Sequence, residues 1–230
     1  MELITHFEPT LFDFLVDLAD NNEREWFISN KARYEAEVKQ PCLGFITAFA
    51  PHLQSISPHF VAIPRAVGGS LFRIHRDTRF SKDKRPYKTH AGMHFRHVAS
   101  SRDVHAPGYY LHLEPGGVFG GVGIWHPERR SLTAIRAAID ADPDAWRSAL
   151  HATGIPERLQ LEGESLKRAP RGYPADHPLI EDIKRKDFIV SFPLTEADVL
   201  RPGFVEEFAD ACRSASPLMA FLCQAVGVAF

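Results

Sequence analysis

The residues of this sequence best suited to chemistry lie in one segment near its middle. Between residues 71 and 97 the chain carries eight Lys or Arg against two Asp, a local charge of +6 in a protein of formal net charge −2. Seven of these cationic side chains fall within sixteen residues: Arg73, Arg76, Arg79, Lys82, Lys84, Arg85 and Lys88. Guanidinium groups bind phosphates and carboxylates through paired hydrogen bonds, and lysine adds a mobile point charge. The segment therefore predicts an anion-binding site.

We expect seven residues to bind the anion: four from the basic segment, one from the glycine turn before it and two from a second basic stretch. They are Arg73, Arg76, Arg79, Lys88, Ser70, Arg168 and Arg171. The glycines before Ser70 would bring backbone N–H groups close to a bound anion. A structural explanation stays open, because Asp77 and Asp83 lie within the segment and surface ion pairs of this kind contribute little.

Histidine is the second residue type concentrated in this part of the chain. Seven of the twelve histidines lie between residues 75 and 126. Strand alternation would put His112 and Glu114 on one face, and His90 and His94 from a neighbouring strand would share it. A histidine near its ordinary pKa can exchange a proton at neutral pH, so His75 and His112 are the candidate general acids or bases.

His112 and Glu114, with His126 further along, also match the two-histidine, one-carboxylate ligand set of many metal centres. Such triples arise by chance in a histidine-rich sheet, and a buried histidine bonded to a carboxylate is the commoner arrangement. The cationic surroundings would also oppose a divalent ion. We therefore predict no cofactor and less than one tightly bound transition metal per chain, and keep a divalent metal as the alternative.

These residues need a scaffold, and the hydrophobic pattern predicts an α+β fold with a central antiparallel sheet. Helical spacing dominates residues 1–60, the segment 61–127 alternates and is rich in glycine, and 128–230 is mixed but mostly helical. We expect the sheet to pack against the N- and C-terminal helices. The side chains expected in its core are Met93, Phe95, Leu111 and Leu113. Because the chain has no repeat or obvious linker, it is predicted to be a single domain.

Composition limits the class of protein. The apolar fraction of 44% and charged fraction of 24% are ordinary for a globular chain. Residues 1–9 lack the basic and apolar regions of a secretory signal, and the longest apolar stretch, 218–230, is too short to cross a bilayer. Three cysteines without a C-x-x-C spacing indicate a reducing compartment. We expect a cytoplasmic protein with no membrane partner.

Several stretches together resemble a known bacterial family. They are Asn22–Phe27 with Asn30, Lys31 and Tyr34, the run Gly69–His90, and the stretches Pro107–Pro115 and Leu166–Phe188. Over nearly its whole length the chain is similar to the family catalogued as domain of unknown function 2461. The resemblance implies a single full-length domain and brings no activity, cofactor or catalytic residue.

Two functional hypotheses follow, and the sequence leaves open whether the protein is an enzyme. The first is a site for a phosphate-bearing small molecule, built on the basic segment, with a histidine as general acid or base. The second is a non-catalytic module that binds nucleic acid or an acidic partner through phosphate-backbone contacts. The acidic flanks and the net charge of −2 favour the first. A metal-dependent enzyme with an H-x-E…H ligand set is a lesser alternative.

Overall fold

A six-stranded antiparallel sheet forms the centre of the protein in a computed structural model, which describes residues 5–65, 67–79, 81–100, 105–153 and 159–230. The strands are β1 (Phe60–Val61), β2 (Ala91–His97), β3 (Gly108–Leu113), β4 (Phe119–Ile124), β5 (Leu161–Glu162) and β6 (Phe188–Pro193). They lie in the order β1-β2-β3-β4-β6-β5, and every neighbouring pair is antiparallel. The predicted α+β fold with a central antiparallel sheet is therefore confirmed.

Helices precede and follow these strands in the chain order that the sequence predicts. They are α1 (Pro9–Asp20), α2 (Arg24–Ser29), α3 (Lys31–Tyr34), α4 (Gln40–Ile56), α5 (Arg129–Ala141), α6 (Pro143–Ala152), α7 (Ile180–Ile183), α8 (Glu196–Val199), α9 (Phe204–Ser214) and α10 (Ser216–Ala225). A π-helical turn, Glu35–Lys39, joins α3 to α4, and a 3₁₀ turn, Val98–Ser100, follows β2. In the described part of the chain, no helix is both long and apolar enough to cross a membrane.

Strand alternation sorts the side chains of β2 and β3 onto two faces. Met93 lies opposite Leu111 and Phe95 lies opposite Tyr109, and all four side chains are fully buried. Leu113 shares their face and is also fully buried. Because successive side chains of a strand point in opposite directions, the residues between them face away from this core. The four predicted core residues of the sheet are thus confirmed.

The buried face packs against helices from both ends of the chain. The ring of Phe49 in α4 lies 4.7 Å from that of Phe95 in β2 and 5.1 Å from that of Phe208 in α9. Further along the same sheet, Phe188 of β6 packs edge to face against Trp146 of α6 at 6.0 Å. Aromatic pairs at these distances contribute packing and about 0.5–1.5 kcal/mol each beyond their buried area. The ring contacts around Phe49 and the contact between Phe188 and Trp146 lie on the same sheet, and the single-domain interpretation stays a prediction.

The sheet extends beyond the segment that was expected to form it. β6 comes from the mixed C-terminal part of the chain and pairs with β4 along its whole length, from Phe119 opposite Pro193 to Ile124 opposite Phe188. Gly120 permits this pairing to pack closely, since a methyl group there would overlap the ring of Phe192. The strand alternation of β6 is visible in the sequence, but its partner is not.

The basic segment forms an irregular hairpin beside β2. Leu71 pairs with Met93 of β2, and His75 pairs with Tyr87 across the hairpin. The base of the segment is therefore fixed to the sheet.

Candidate functional site

The sheet face opposite the buried side chains carries a cleft of about 960 Å³. Alternate residues of three strands form its floor: Gly108, Tyr110 and His112 of β3, Phe119, Gly121 and Gly123 of β4, and Ile189, Ser191 and Pro193 of β6. Phe72 of the basic segment and Trp125 after β4 also line it. The alternation that builds the core on one face thus places aromatic, glycine and histidine residues on the other.

Gly92 of β2 makes room for the hydroxyl of Tyr110. The two residues lie on the cleft face of neighbouring strands, and a methyl group on Gly92 would come within 2.5 Å of the Tyr110 hydroxyl and 3.2 Å of the Phe72 ring. Tyr110 can therefore lie flat across β2 with its hydroxyl near the sheet. Burial raises the pKa of Tyr110, so this hydroxyl keeps its proton at neutral pH.

That hydroxyl contacts His112, the residue two positions along β3. The Tyr110 hydroxyl lies 2.9 Å from His112 Nδ1, and His112 Nε2 lies 3.2 Å from Glu114 Oε2. Thr89 donates a hydrogen bond of 2.8 Å to the other carboxylate oxygen, Glu114 Oε1. Both ring nitrogens of His112 and both oxygens of Glu114 therefore have defined neighbours, and the His112 side chain is only 12% exposed.

His90 completes this polar group from the residue before β2. Continuing the β2–β3 register by one position puts His90 opposite Glu114, and its ring centroid lies 4.4 Å from that of His112. Phe119 stacks on His112 at 4.7 Å. Burial, followed by the neighbouring His112, lowers the pKa of His90 to about 4, so His90 is uncharged at neutral pH. Ligand atoms of His90, His112 and Glu114 all lie within 4.8 Å of one another. We call these three residues the His–His–Glu cluster.

Glu114 remains ionised within this cluster. Burial acts to raise the pKa of Glu114, but the hydrogen bonds from Thr89 and His112 outweigh it, and the resulting pKa lies below the ordinary value. The polar end of the cleft thus combines one carboxylate with two neighbouring imidazoles, which could hold a metal ion or exchange a proton.

Lys88 of the basic segment is close enough to this polar end for its charge to lower the pKa of His90. Its Nζ atom lies 5.2 Å from the ring centroid of Phe72, a residue that lines the cleft. Burial, followed by the charge of Arg73, lowers the pKa of Lys88. Within residues 5–65, 67–79, 81–100, 105–153 and 159–230, no carboxylate lies at ion-pair distance from Lys88. Lys88 is therefore a partly buried cation without a counter-ion in the described protein.

Two other predicted anion ligands of the hairpin, Arg76 and Arg79, pair with its two aspartates. Arg76 and Arg85 both bond Asp83, at 2.6 and 2.8 Å, and Arg79 bonds Asp77 at 2.6 Å. Hydrogen bonds from Arg79 lower the pKa of Asp77 to about 2. The structure thus separates Lys88 and Arg73 from Arg76 and Arg79, which take part in a local ion-pair network.

The structure places the remaining predicted residues away from the cleft floor. Ser70 is buried, and its hydroxyl accepts a 3.0 Å hydrogen bond from the N–H of Ile63, which holds the loop before the hairpin. His75 packs against the ring of Tyr87 at 5.2 Å and does not line the cleft. Arg168 and Arg171 are exposed on the connection between β5 and α7. Of the two predicted general acids or bases, only His112 lies in the cleft.

The structure does not bring His126 to His112 and Glu114. Phe119 lies opposite His112, and His126 follows seven residues later, which is about 23 Å along an extended chain. There His126 Nδ1 contacts the buried carboxylate of Asp187 at 2.8 Å. His90 occupies the third position of the set instead. Only the register of β2 with β3 identifies His90 instead of His126 as the third residue, because this register sets His90 beside Glu114 on the neighbouring strand.

The family resemblance seen in the sequence is supported by a direct comparison. The sequence profile of the family described as conserved hypothetical protein (DUF2461) matches residues 10–221 of the 230. No curated protein and no solved structure matches the chain.

Proposed function

This chain belongs to the DUF2461 family of conserved hypothetical proteins, and from its geometry we propose that the cleft binds a small anionic ligand, with phosphate as the preferred group. The observation that carries the proposal is Lys88, a partly buried cation without a carboxylate partner in the described chain, which lies over the ring of Phe72 in the cleft lining. Burying an unpaired ammonium group is unfavourable, and an anionic ligand would supply the missing charge.

A small molecule suits this site better than a polymer. The cleft is concave and is lined largely by aromatic and glycine residues. It carries few polar groups, with His112 and Glu114 at one end and the hydrogen-bonded pair Ser191 and Glu162 on the β5–β6 side, as is typical of small-molecule sites. Most arginines of the hairpin already bond Asp77 or Asp83, which reduces the charge available to a phosphate backbone. These pairs make a nucleic-acid track the less favoured alternative.

The proposal gives a role to few of the predicted residues. Lys88 and Arg73 would hold the anion, and Phe72 would pack against the ligand beside them. His112 is the predicted catalytic residue that the bound compound could touch, because His75 lies outside the cleft. The polar end of the cleft favours an enzyme over a protein that only binds the anion, because binding alone would not require a His–His–Glu cluster next to the anion.

Thermal denaturation in inorganic phosphate and pyrophosphate tests the proposal. At ten times its dissociation constant a ligand stabilises the native state by about 1.4 kcal/mol, which corresponds to about 3–6 °C for a chain of this size. We expect Lys88→Met to abolish this shift, because the variant keeps the aliphatic stem over Phe72 and loses the charge. Lys82→Met is the matched control, an exposed lysine of the same hairpin, and should keep the shift.

Two outcomes would contradict the proposal. The first is that neither anion raises the melting temperature of the wild type. The second is that both lysine variants lose the shift equally. Equal losses combined with tight, strongly salt-dependent binding of an oligonucleotide would support the nucleic-acid module instead.

A further inference from the structure

The His–His–Glu cluster has the composition of a metal centre, and we propose that His90, His112 and Glu114 bind one divalent transition-metal ion, with zinc as the probe ion. The proposal deepens the proposed function, since it adds a cofactor to the polar end of the same cleft. It takes up the alternative of a divalent metal that the sequence leaves open, with His90 instead of His126 as the third ligand.

The spacing of the ligand atoms is close to what a metal requires. Ligands bound about 2.0–2.1 Å from a tetrahedral zinc ion are about 3.4 Å apart. His112 Nε2 and Glu114 Oε2 are 3.2 Å apart, so this pair already has the required separation. The ligand atom of His90 lies within 4.8 Å of both, and has to approach by at most about 1.4 Å. A rotation of one partly buried side chain would complete the set.

Residues outside the set already orient two of the ligands. Metal-binding histidines usually engage their second ring nitrogen in a hydrogen bond, which fixes the ring and its tautomer. Tyr110 does this for His112 at Nδ1, at 2.9 Å. Thr89 does the same for Glu114, holding Oε1 at 2.8 Å and leaving Oε2 for the ion. Contacts of this kind favour a built site over a chance grouping in a histidine-rich sheet.

The net positive charge around the three ligands is smaller than the sequence indicates. Arg76, which acts electrostatically on His90, is paired with Asp83 at 2.6 Å. Lys88 remains a nearby positive charge, and a ligand anion would lie between it and the ion.

Three protein ligands leave at least one coordination position open towards the cleft. Zinc centres with catalytic roles have this arrangement, with three side chains and an exchangeable fourth position. An anion held by Lys88 would reach that position from the Phe72 side of the cleft. The metal would then act as a Lewis acid on the bound ligand, and His112 would act through the metal rather than as a proton donor.

Zinc binding by protein prepared without a polyhistidine tag tests the inference. The protein is stripped with EDTA, dialysed into metal-free buffer and titrated with Zn²⁺ by calorimetry. We expect one ion per chain, with affinity reduced at least about a hundredfold by His90→Ala and by Glu114→Gln. Tyr110→Phe should reduce the affinity about ten- to a hundredfold through the lost contact to His112. His75→Ala is the control histidine from outside the cleft and should bind zinc as the wild type does.

The inference is overturned if the wild type binds no zinc, or if His75→Ala weakens binding as much as His90→Ala. If the alanine variant unfolds, as circular dichroism would show, Tyr110→Phe decides, because it keeps all three ligands; unchanged zinc affinity in that variant also overturns the inference. Phosphate titrations are run both in EDTA and in zinc. If zinc binds at the cluster but phosphate does not bind through Lys88 in either buffer, the proposed function is rejected and the metal centre is not. If phosphate binds through Lys88 but zinc does not bind at the cluster, the metal centre is rejected and the proposed function is not.

Discussion

The two faces of the central sheet are made by the same strands and differ in almost every other respect. On the helix-covered face, β2, β3 and β6 present large apolar side chains such as Phe95, Leu111 and Phe188, all fully buried. On the cleft face, the same strands present polar and small residues, among them His112 and Ser191. The covered face is filled, whereas the cleft face retains a space of about 960 Å³.

This difference shows how the protein separates stability from chemistry. Tight packing on one face fixes the backbone of β3, and the fixed backbone then sets the spacing of Tyr110, His112 and Glu114 on the other. Side chains placed on rigid strands are held more accurately than side chains on loops. Substitutions on the two faces should therefore affect different properties.

The largest expected effect comes from truncating the covered face. Ile124 and Ile189 are close on neighbouring strands, but Ile124 is fully buried and Ile189 lines the cleft. Ile124→Ala should lower the free energy of unfolding by about 2–5 kcal/mol, because it leaves a cavity. The same change at Ile189 should cost about 1 kcal/mol or less, since its side chain is partly exposed already. Denaturation in urea measures both, and equal losses would remove the distinction between the faces.

An intermediate effect is expected from adding a methyl group on the cleft face. Gly92→Ala would force the hydroxyl of Tyr110 away from His112, because the new carbon would lie 2.5 Å from it. We expect a loss of about 1–3 kcal/mol, typical of overpacking, together with weaker zinc binding. Gly121→Ala is the control, since its methyl group would make an ordinary 3.7 Å contact with Tyr110. Calorimetric melting of both variants gives the comparison, and a Gly92→Ala protein as stable as the control would show that Tyr110 moves freely.

The smallest effect concerns pH and a histidine on the covered face. Burial lowers the pKa of His97 from 6.5, His59 nearby lowers it further, and a hydrogen bond to the Ala229 carbonyl opposes the shift. The unfolded chain therefore takes up a proton at His97 at a higher pH than the native protein does. Stability contributed by neutral His97 is present above about pH 6.5 and is lost as the pH falls below it.

Melting temperatures of the wild type and His97→Gln at about pH 7.5 and about pH 5.5 test this sign. We expect the decrease on acidification to be about 1–2 °C smaller in the variant. An identical decrease in both proteins would mean that other groups carry the acid sensitivity.

Local patterns were the part of the fold that the sequence could predict. Alternation over β2 and β3 correctly separates Met93 and Leu111 from their neighbours, because one buried face imposes a strict two-residue period. The pairing of β4 with β6 was not predicted, since more than sixty residues separate the two strands and no local signal specifies the partner. Hydrophobic alternation identifies a strand but not the strand beside it.

The candidate site shows the same limit. His112 and Glu114 share a strand, so their common face follows from alternation alone. The third member depends on strand register, and His126 was considered for it although His90 is the residue that the sheet brings there. The pairing of Arg79 with Asp77 and of Arg85 with Asp83 has a two-residue spacing, but charge counting over the segment does not reveal which cations are neutralised.

The edges of the sheet have a consequence for the behaviour of the protein at high concentration. The outermost strands, β1 and β5, are two residues long each, and Leu71 occupies part of the remaining outer edge of β2. Long exposed edge strands offer unpaired backbone groups to other chains and start the growth of intermolecular β-structure. Edges this short offer few such groups. In the described part of the chain, one face of a six-stranded sheet is therefore open to a ligand, while only short stretches of unpaired edge are open to other copies.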